Sequence, residues 1–264
     1  MIGYCNGQWI PTEDLTIAVT DRGFSLGDGL FETLLVWQGK VRLAEQHWQR
    51  LTSSAQQLRI PLPPNVNIDL LQATVDHNEL ETGALRVTLT RGCGQRGLQS
   101  PEPLHPLLVI VPSLSQPQFQ PLRLITAQTV RRCPESILSR FKTLSYLENV
   151  LARQEAEQRQ ADEALLLTPS DRLSEAAAAN IFVRLNNDWW TPPLSDGALP
   201  GIVRQRLLTT GWAKETSIAW SQRDQVEAIA LSNSLSFRPV SHWDGRALWT
   251  DLEDWRSRFE ALQL

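Results

Sequence analysis

Ten residues, Pro112 to Pro121 ("PSLSQPQFQP"), constrain this chain more than any other stretch. Three prolines among polar spacers make it the best candidate for a linker between domains. The sequence therefore divides into a smaller first domain over 1–112, a linker over 113–121 and a larger second domain over 122–264. Two modest domains suit a chain of 264 residues.

The pattern on each side of the break is mixed. In the first part, "CNGQWI", "LTIAVT" and "LFETLLVWQGK" read as strands closed by turns. Leu43, Trp48, Leu51, Ala55 and Leu58 recur at helical spacing, "IDLLQATVDHNEL" predicts a second helix, and "ALRVTLTRG" and "PLLVIVP" return to strand. Beyond the break, "LRLITAQTV" predicts a strand and "SYLENVLARQEAEQRQ" an amphipathic helix. "DEALLLTP", "LSEAAAANIFVRL" and "DWWTPPL" then read as short strands, while "PGIVRQRLLTTG" and "DLEDWRSRFEAL" read as helices. Strands before and after helices, without strict alternation, predict two α+β domains.

Composition narrows the function classes. A hydrophobic share of 42% supplies a core, and a net charge of −4 without a basic cluster argues against nucleic-acid binding. The longest apolar run, Leu107 to Val111, is far short of the ~20 residues that span a bilayer. The opening "MIGYCNGQWI" lacks a basic, apolar leader, so a cytoplasmic protein is expected. Cys5, Cys93 and Cys133 are scattered and four histidines form no paired motif, so no metal site is expected.

The candidate chemistry begins with lysine. Of 25 basic Lys and Arg residues only Lys40, Lys142 and Lys214 are lysine, and only Lys142, in "FKTLSYLENV", has apolar neighbours on both sides. Desolvation disfavours an ammonium and frees the amine as nucleophile or base; a packed stem with its head in water is the plainer reading. Glu175, in "RLSEAAAANIF", is a carboxylate in small apolar surroundings that suit a cationic partner, or an acid at a helix start. Gly201, in "LPGIVRQRLL", leaves the amides of Ile202 and Val203 able to meet an anion, as any helix start does. Arg50 could add a fixed cation to that anion or form a surface salt bridge. Arg91 and Arg96, in "TRGCGQRGL", could grip a substrate carboxylate or lie in a solvated loop, and "SNS" (Ser232 to Ser234) offers donors at a strand end.

The order of these motifs resembles the class IV aminotransferase family, the fold-type IV pyridoxal-phosphate enzymes, and the likeness extends to "DRGFSLGDGLFETL" near the start. The resemblance implies the two-domain fold of D-amino-acid aminotransferases, a homodimer and pyridoxal 5'-phosphate as cofactor. It implies that Lys142 is the Schiff-base lysine and that Glu175 keeps the cofactor's ring nitrogen protonated. Arg50, Ile202, Val203 and Asn233 or Ser234 would hold its phosphate, with Tyr146 and Asn180 also at the cofactor. Val203 stands where the family often has threonine. Within the family, "RGCGQRGL" and Thr33 resemble aminodeoxychorismate lyases, and Leu98 stands where D-amino-acid aminotransferases tend to carry histidine. The reaction so implied turns 4-amino-4-deoxychorismate into 4-aminobenzoate and pyruvate, a step toward folate, with Thr33 aiding the leaving group and Arg96 or Arg91 on a substrate carboxylate. The alternatives are transamination of a D- or branched-chain amino acid, and a non-catalytic scaffold of the same fold.

Overall fold

The computed structural model describes residues 1–250 and 255–262. The chain forms two compact units, one made of Met1–Gln116 with Lys142–Tyr146, the other of Pro117–Phe141 with Leu147–Leu264.

The first unit is one six-stranded sheet with two long helices. Its strands are β1 (Ile2–Cys5), β2 (Gln8–Pro11), β3 (Gly29–Trp37), β4 (Lys40–Val41), β5 (Thr82–Thr90) and β6 (Leu107–Leu114). They pair in the order β2-β1-β6-β5-β3-β4, antiparallel throughout. Asn6 and Gly7, both at positive φ, make the turn between β1 and β2. Helix α1 (Arg22–Leu26) is one short turn capped by Asp21; α2 (Ala44–Gln57) and α3 (Asp69–His77) are the two long ones. Leu51 and Ala55 of α2, Leu71 and Val75 of α3 and Leu30, Leu34, Leu85 and Leu89 of the sheet are almost fully buried.

Two expectations change here. "LTIAVT" (15–20) forms no strand. Its alternation has no neighbouring strand to bury against, and Ile17 and Val19 are exposed. The segment Lys142–Tyr146 belongs with the first unit rather than with the domain that follows the linker. The Phe31 amide donates to the Lys142 carbonyl at 2.9 Å and the Leu144 amide to the Gly29 carbonyl at 3.0 Å, so the segment lies along the start of β3. Glycine at 29 permits this approach, since a Cβ there would meet the Leu89 carbonyl at 2.5 Å and Leu144 Cδ1 at 2.8 Å.

The second unit is a nine-stranded mixed sheet. Its strands are β7 (Leu122–Arg131), β8 (Glu163–Leu167), β9 (Leu173–Ala176), β10 (Asn180–Leu185), β11 (Asp188–Thr191), β12 (Lys214–Glu215), β13 (Ala228–Asn233), β14 (Ser236–Trp243) and β15 (Arg246–Ala247). The order is β12-β11-β10-β13-β14-β7-β8-β9, with β15 beside β14. Its core is apolar: Leu124, Leu165, Leu173, Ile181, Val183, Ile229, Leu231 and Val240 pack together. Helix α4 (Leu147–Gln158) lays Ala152 and Ala156 against Ile125, Ala127 and Ala164. The division between units falls between Gln116 and Pro117, inside the proline-rich stretch, with β6 running into it as far as Leu114. The remaining helices are α5 (Ile202–Thr209) and α6 (Trp255–Leu262). The first four residues of the terminal segment read as helix, 251–254, lie outside the described residues. Trp255 packs edge-on against Phe237, Trp189 and Trp212, so these three tryptophans serve the interior of this unit.

Candidate active site

Side chains alternate across a strand, so Phe31 and Thr33 of β3 share one face while Glu32 points to the other. On the first face Lys142 Nζ lies 4.3 Å from the Phe31 ring centroid and 5.4 Å from that of Tyr146, which meets Phe31 edge-on at 5.1 Å. Arg86 stands opposite Thr33 in the β3/β5 register and lays its guanidinium 4.0 Å from the Phe31 centroid. Lys142 and Arg86 thus both pack against the Phe31 ring, and Thr33 lies on the same side of β3. Burial weakens Arg86's hold on its proton, although the nearby Tyr146 opposes this.

On the other face Glu32 is 2% exposed and bound to α2. Arg50 donates to it through Nε at 2.7 Å and Nη2 at 2.6 Å, and His47 Nδ1 lies 2.7 Å from Oε2. Burial would raise this carboxyl, but the Arg50 charge and the bonds from His47 and Arg50 outweigh it and bring it down to about 2. Burial lowers His47 despite its acidic partner, with the charges of Arg50 and Lys142 adding to the effect, so a neutral imidazole donates to Glu32. Arg50, expected at the cofactor phosphate, is therefore set in place by a buried acid and imidazole.

The two arginines expected on the substrate part ways. Arg91 donates to Asp28 at 2.9 Å and to the carbonyls of Arg59 and Leu58, each at 2.9 Å, so its guanidinium braces the fold and does not offer a substrate grip. Burial works against the Asp28 charge, yet Arg91 and Arg22 together keep that carboxyl below its usual range. Arg22, almost fully buried, binds Asp28 and the carbonyls of Gly97, Leu98 and Gln99, shaping the loop that carries Arg96. Arg96 itself is exposed.

In the second unit Ala176 ends β9 and Ala177 to Ala179 connect it to β10, so no helix follows Glu175. Glu175 is 5% exposed; its Oε1 lies 3.2 Å from Arg132 Nη2 and its Oε2 accepts from the Leu199 amide at 2.8 Å. The Leu199 carbonyl accepts from Asn180 Nδ2 at 2.9 Å, and a Cβ on Gly201 would come within 1.9 Å of Asn180 Oδ1. Asn180 is thus a spacer that seats the start of α5 against β10. Gly201 caps α5 without any side-chain hydrogen bond, and no described group accepts from the amides of Ile202 or Val203. Val203 buries its side chain, so it presents only that amide. Asn233 donates to the Ala178 carbonyl and accepts from Leu235 and Ser236, so its side chain fixes the turn.

The first unit thus offers an amine packed on an aromatic ring, and the second a buried carboxylate fixed by an arginine and a helix that starts at Gly201. The profile of the amino-transferase class IV family matches residues 29–243. This chain belongs to the class IV aminotransferase family. A relative named as a branched-chain-amino-acid aminotransferase in Methanocaldococcus jannaschii is 34% identical over 93% of this chain and 88% of its own. D-alanine aminotransferase of Listeria monocytogenes is 30% identical over 91% of this chain and 86% of its own. A Legionella pneumophila structure named as 4-amino-4-deoxychorismate lyase superposes with a TM-score of 0.85 at 30% identity, over 95% and 96% of the two chains. A hypothetical aminotransferase of Mycobacterium tuberculosis, solved in its PLP-bound form, shares the fold with a TM-score of 0.85 at 21% identity, over 100% and 99% of the two chains.

Class IV aminotransferases use pyridoxal 5'-phosphate. Of the residues expected at the cofactor, Lys142, Tyr146 and Arg50 lie in the first unit and Glu175, Asn180, Ile202, Val203, Asn233 and Ser234 in the second. Sequence reasoning missed Phe31, Arg86, Arg132, Glu32 and His47. An acid at a helix-facing strand position and the His-x-x-Arg spacing of His47 and Arg50 were the available signals for the last pair; nothing in the sequence links Arg132 to Glu175. The described residues hold no metal-binding cluster and no helix long and apolar enough to cross a membrane.

Proposed function

We propose that this class IV enzyme is a 4-amino-4-deoxychorismate lyase, forming 4-aminobenzoate and pyruvate on the way to folate. The packing of Lys142 and Arg86 on Phe31, with Thr33 opposite Arg86 in the sheet, supports this reading most directly. When bound, pyridoxal phosphate supplies an aldehyde for the substrate amine and a ring that stores an electron pair. Glu175 would accept a hydrogen bond from the ring nitrogen and keep it protonated. Lys142 Nζ takes the proton from the ring carbon that bears the amine. The neighbouring C–O bond breaks, Thr33 Oγ1–H donates toward the departing oxygen, and the enolpyruvyl group leaves as pyruvate. The ring left behind is aromatic, which makes the step downhill. Arg86, stacked on Phe31, suits a substrate carboxylate because its planar fork is held while its donors stay directional. Elimination needs a proton donor for the departing oxygen, the part this reading gives to Thr33; transamination does not require it.

The second reading is an aminotransferase, favoured by the 34% and 30% identity to relatives so named. One experiment separates the two. The purified enzyme receives 4-amino-4-deoxychorismate alone or, separately, D-alanine or a branched-chain amino acid with 2-oxoglutarate. Release of 4-aminobenzoate as the fastest reaction is expected. Glutamate formation without 4-aminobenzoate would leave the aminotransferase reading standing, and a protein that takes up no pyridoxal phosphate would leave only a scaffold.

The same reading includes a homodimer in the cytoplasm. Val19, Phe24 and Leu98 are 78%, 71% and 83% exposed on segments tied together by Arg22 and by the Asp21–Cys93 bridge. Large apolar side chains gathered this way suit a contact with a second copy.

A further inference from the structure

We infer that Arg132 is a positioning residue that holds Glu175 in the orientation and charge state its role requires. The inference rests on the proposed role of Glu175 at the cofactor's ring nitrogen. Arg132 follows directly on β7, and its guanidinium is gripped from three directions. Nε donates to the Gly197 carbonyl at 3.0 Å, Nη2 donates to the Ser139 carbonyl at 3.2 Å, and Nη2 lies 3.2 Å from Glu175 Oε1. Both carbonyls sit on shaped backbone. Gly197 is at φ +85°, and a Cβ there would stand 2.9 Å from Arg132 Cγ, so the chain is built around the arginine stem. Ser139 is itself held by donating to the Cys133 carbonyl at 2.6 Å.

A planar fork with fixed donor directions suits this task, and a lysine would supply charge without the geometry. The side chain of Glu175 is 7% exposed. Buried without a cation, such a carboxylate would take up a proton or swing away. With Arg132 on Oε1 and the Leu199 amide on Oε2, both oxygens are oriented before any ligand arrives. Arg132 is not placed against substrate; it acts through Glu175. The competing explanation is a clip that only ties the 132–139 segment to Gly197.

The test compares holoenzyme carrying Arg132→Met, Arg132→Lys, Glu175→Gln and the double Arg132→Met/Glu175→Gln with the unaltered protein. It measures kcat and KM, together with the pH dependence of the bound pyridoxal phosphate's absorption. Arg132→Met should lower kcat on the order of tenfold or more, as loss of an outer partner of a reactive group does, and leave KM nearly unchanged. Its spectrum should move in the direction that Glu175→Gln moves it, and the double substitution should be no slower than Glu175→Gln alone. Arg132→Lys should fall between. Unaltered kcat and spectrum in Arg132→Met, or losses that multiply in the double variant, overturn the inference. If Arg132→Met does not fold, Arg132→Lys decides through the same cycle with Glu175→Gln. Full turnover in Glu175→Gln would instead remove the role given to Glu175, a different outcome from a slow Glu175→Gln beside a fast Arg132→Met.

Discussion

The two units supply chemistry in different ways. In the first, the candidate groups are long side chains gathered on the two sides of β3: Lys142 and Arg86 packed on Phe31 to one side, Arg50 on Glu32 to the other. In the second, the sheet core is apolar and the candidate groups sit at turns, where backbone amides stand in for side chains: Leu199 donates to Glu175, and the amides of Ile202 and Val203, proposed for the phosphate, open α5. Side-chain chemistry on a regular sheet can be swapped residue by residue. Backbone chemistry at turns depends on small residues such as Gly201 and Gly197, which let elements approach closely.

Four outcomes would sharpen or break this contrast. The largest is Lys142→Ala, which should lower turnover by roughly 10²–10⁴-fold or more through loss of the proton-transferring amine, with folding unaffected. A steady-state assay of 4-aminobenzoate release checks it; an active variant would take the central side chain away from the first unit.

Acid should strike the first unit harder. Above pH 4.5 the ionised Glu32 adds roughly 3 kcal/mol, from a carboxyl brought from 4.5 to about 2. That contribution drains away as the pH falls from 4.5 toward 2, because the unfolded carboxyl takes up a proton that the folded one refuses. His47 adds to the loss below its ordinary 6.5, since the unfolded imidazole protonates while the buried one resists. The second unit is mixed. Burial raises the Glu163 carboxyl, so acid relieves a buried charge there. Burial works against the Glu155 charge, but bonds from Thr129, Gln128 and Arg159 outweigh it and make acid costly. Hydrogen exchange at about pH 4 should therefore open β3 and α2 before β10 and β13. The reverse order would contradict the assignment.

Gly201→Ala should cost about 1–3 kcal/mol, because its Cβ would lie 1.9 Å from Asn180 Oδ1 and the start of α5 must shift. Thermal unfolding and pyridoxal phosphate affinity should both fall; unchanged affinity would mean that the amides of Ile202 and Val203 hold no phosphate. The smallest effect concerns Arg96. On its exposed loop, Arg96→Ala should raise KM less than about threefold, in line with a weak exposed ion pair, while Arg86→Ala raises it more. The opposite ranking would return the substrate carboxylate to Arg96.

Much of the fold was legible because apolar periodicity reports burial: Leu51 and Ala55 of α2 and the run Leu165 to Leu167 of β8 are buried as their spacing implies. The strand expected over "LTIAVT" failed because alternation says nothing about whether a partner strand exists. Lys142 and Glu175 stood out by their surroundings in sequence. Arg86 and Arg132 did not, since their significance comes from the residues that register and turns bring beside them: Thr33 and Phe31 for one, Gly197 and Glu175 for the other. Arg91 misled for the same reason, because a loop arginine looks alike whether it faces a ligand or, as here, two backbone carbonyls and Asp28.

The most direct measurement is borohydride reduction of the holoenzyme followed by peptide mapping of the lysine that retains the cofactor's mass. The chain has only three lysines, so the result is unambiguous. The account predicts the label at Lys142 alone; a label at Lys40 or Lys214, or none in a yellow protein, would contradict it.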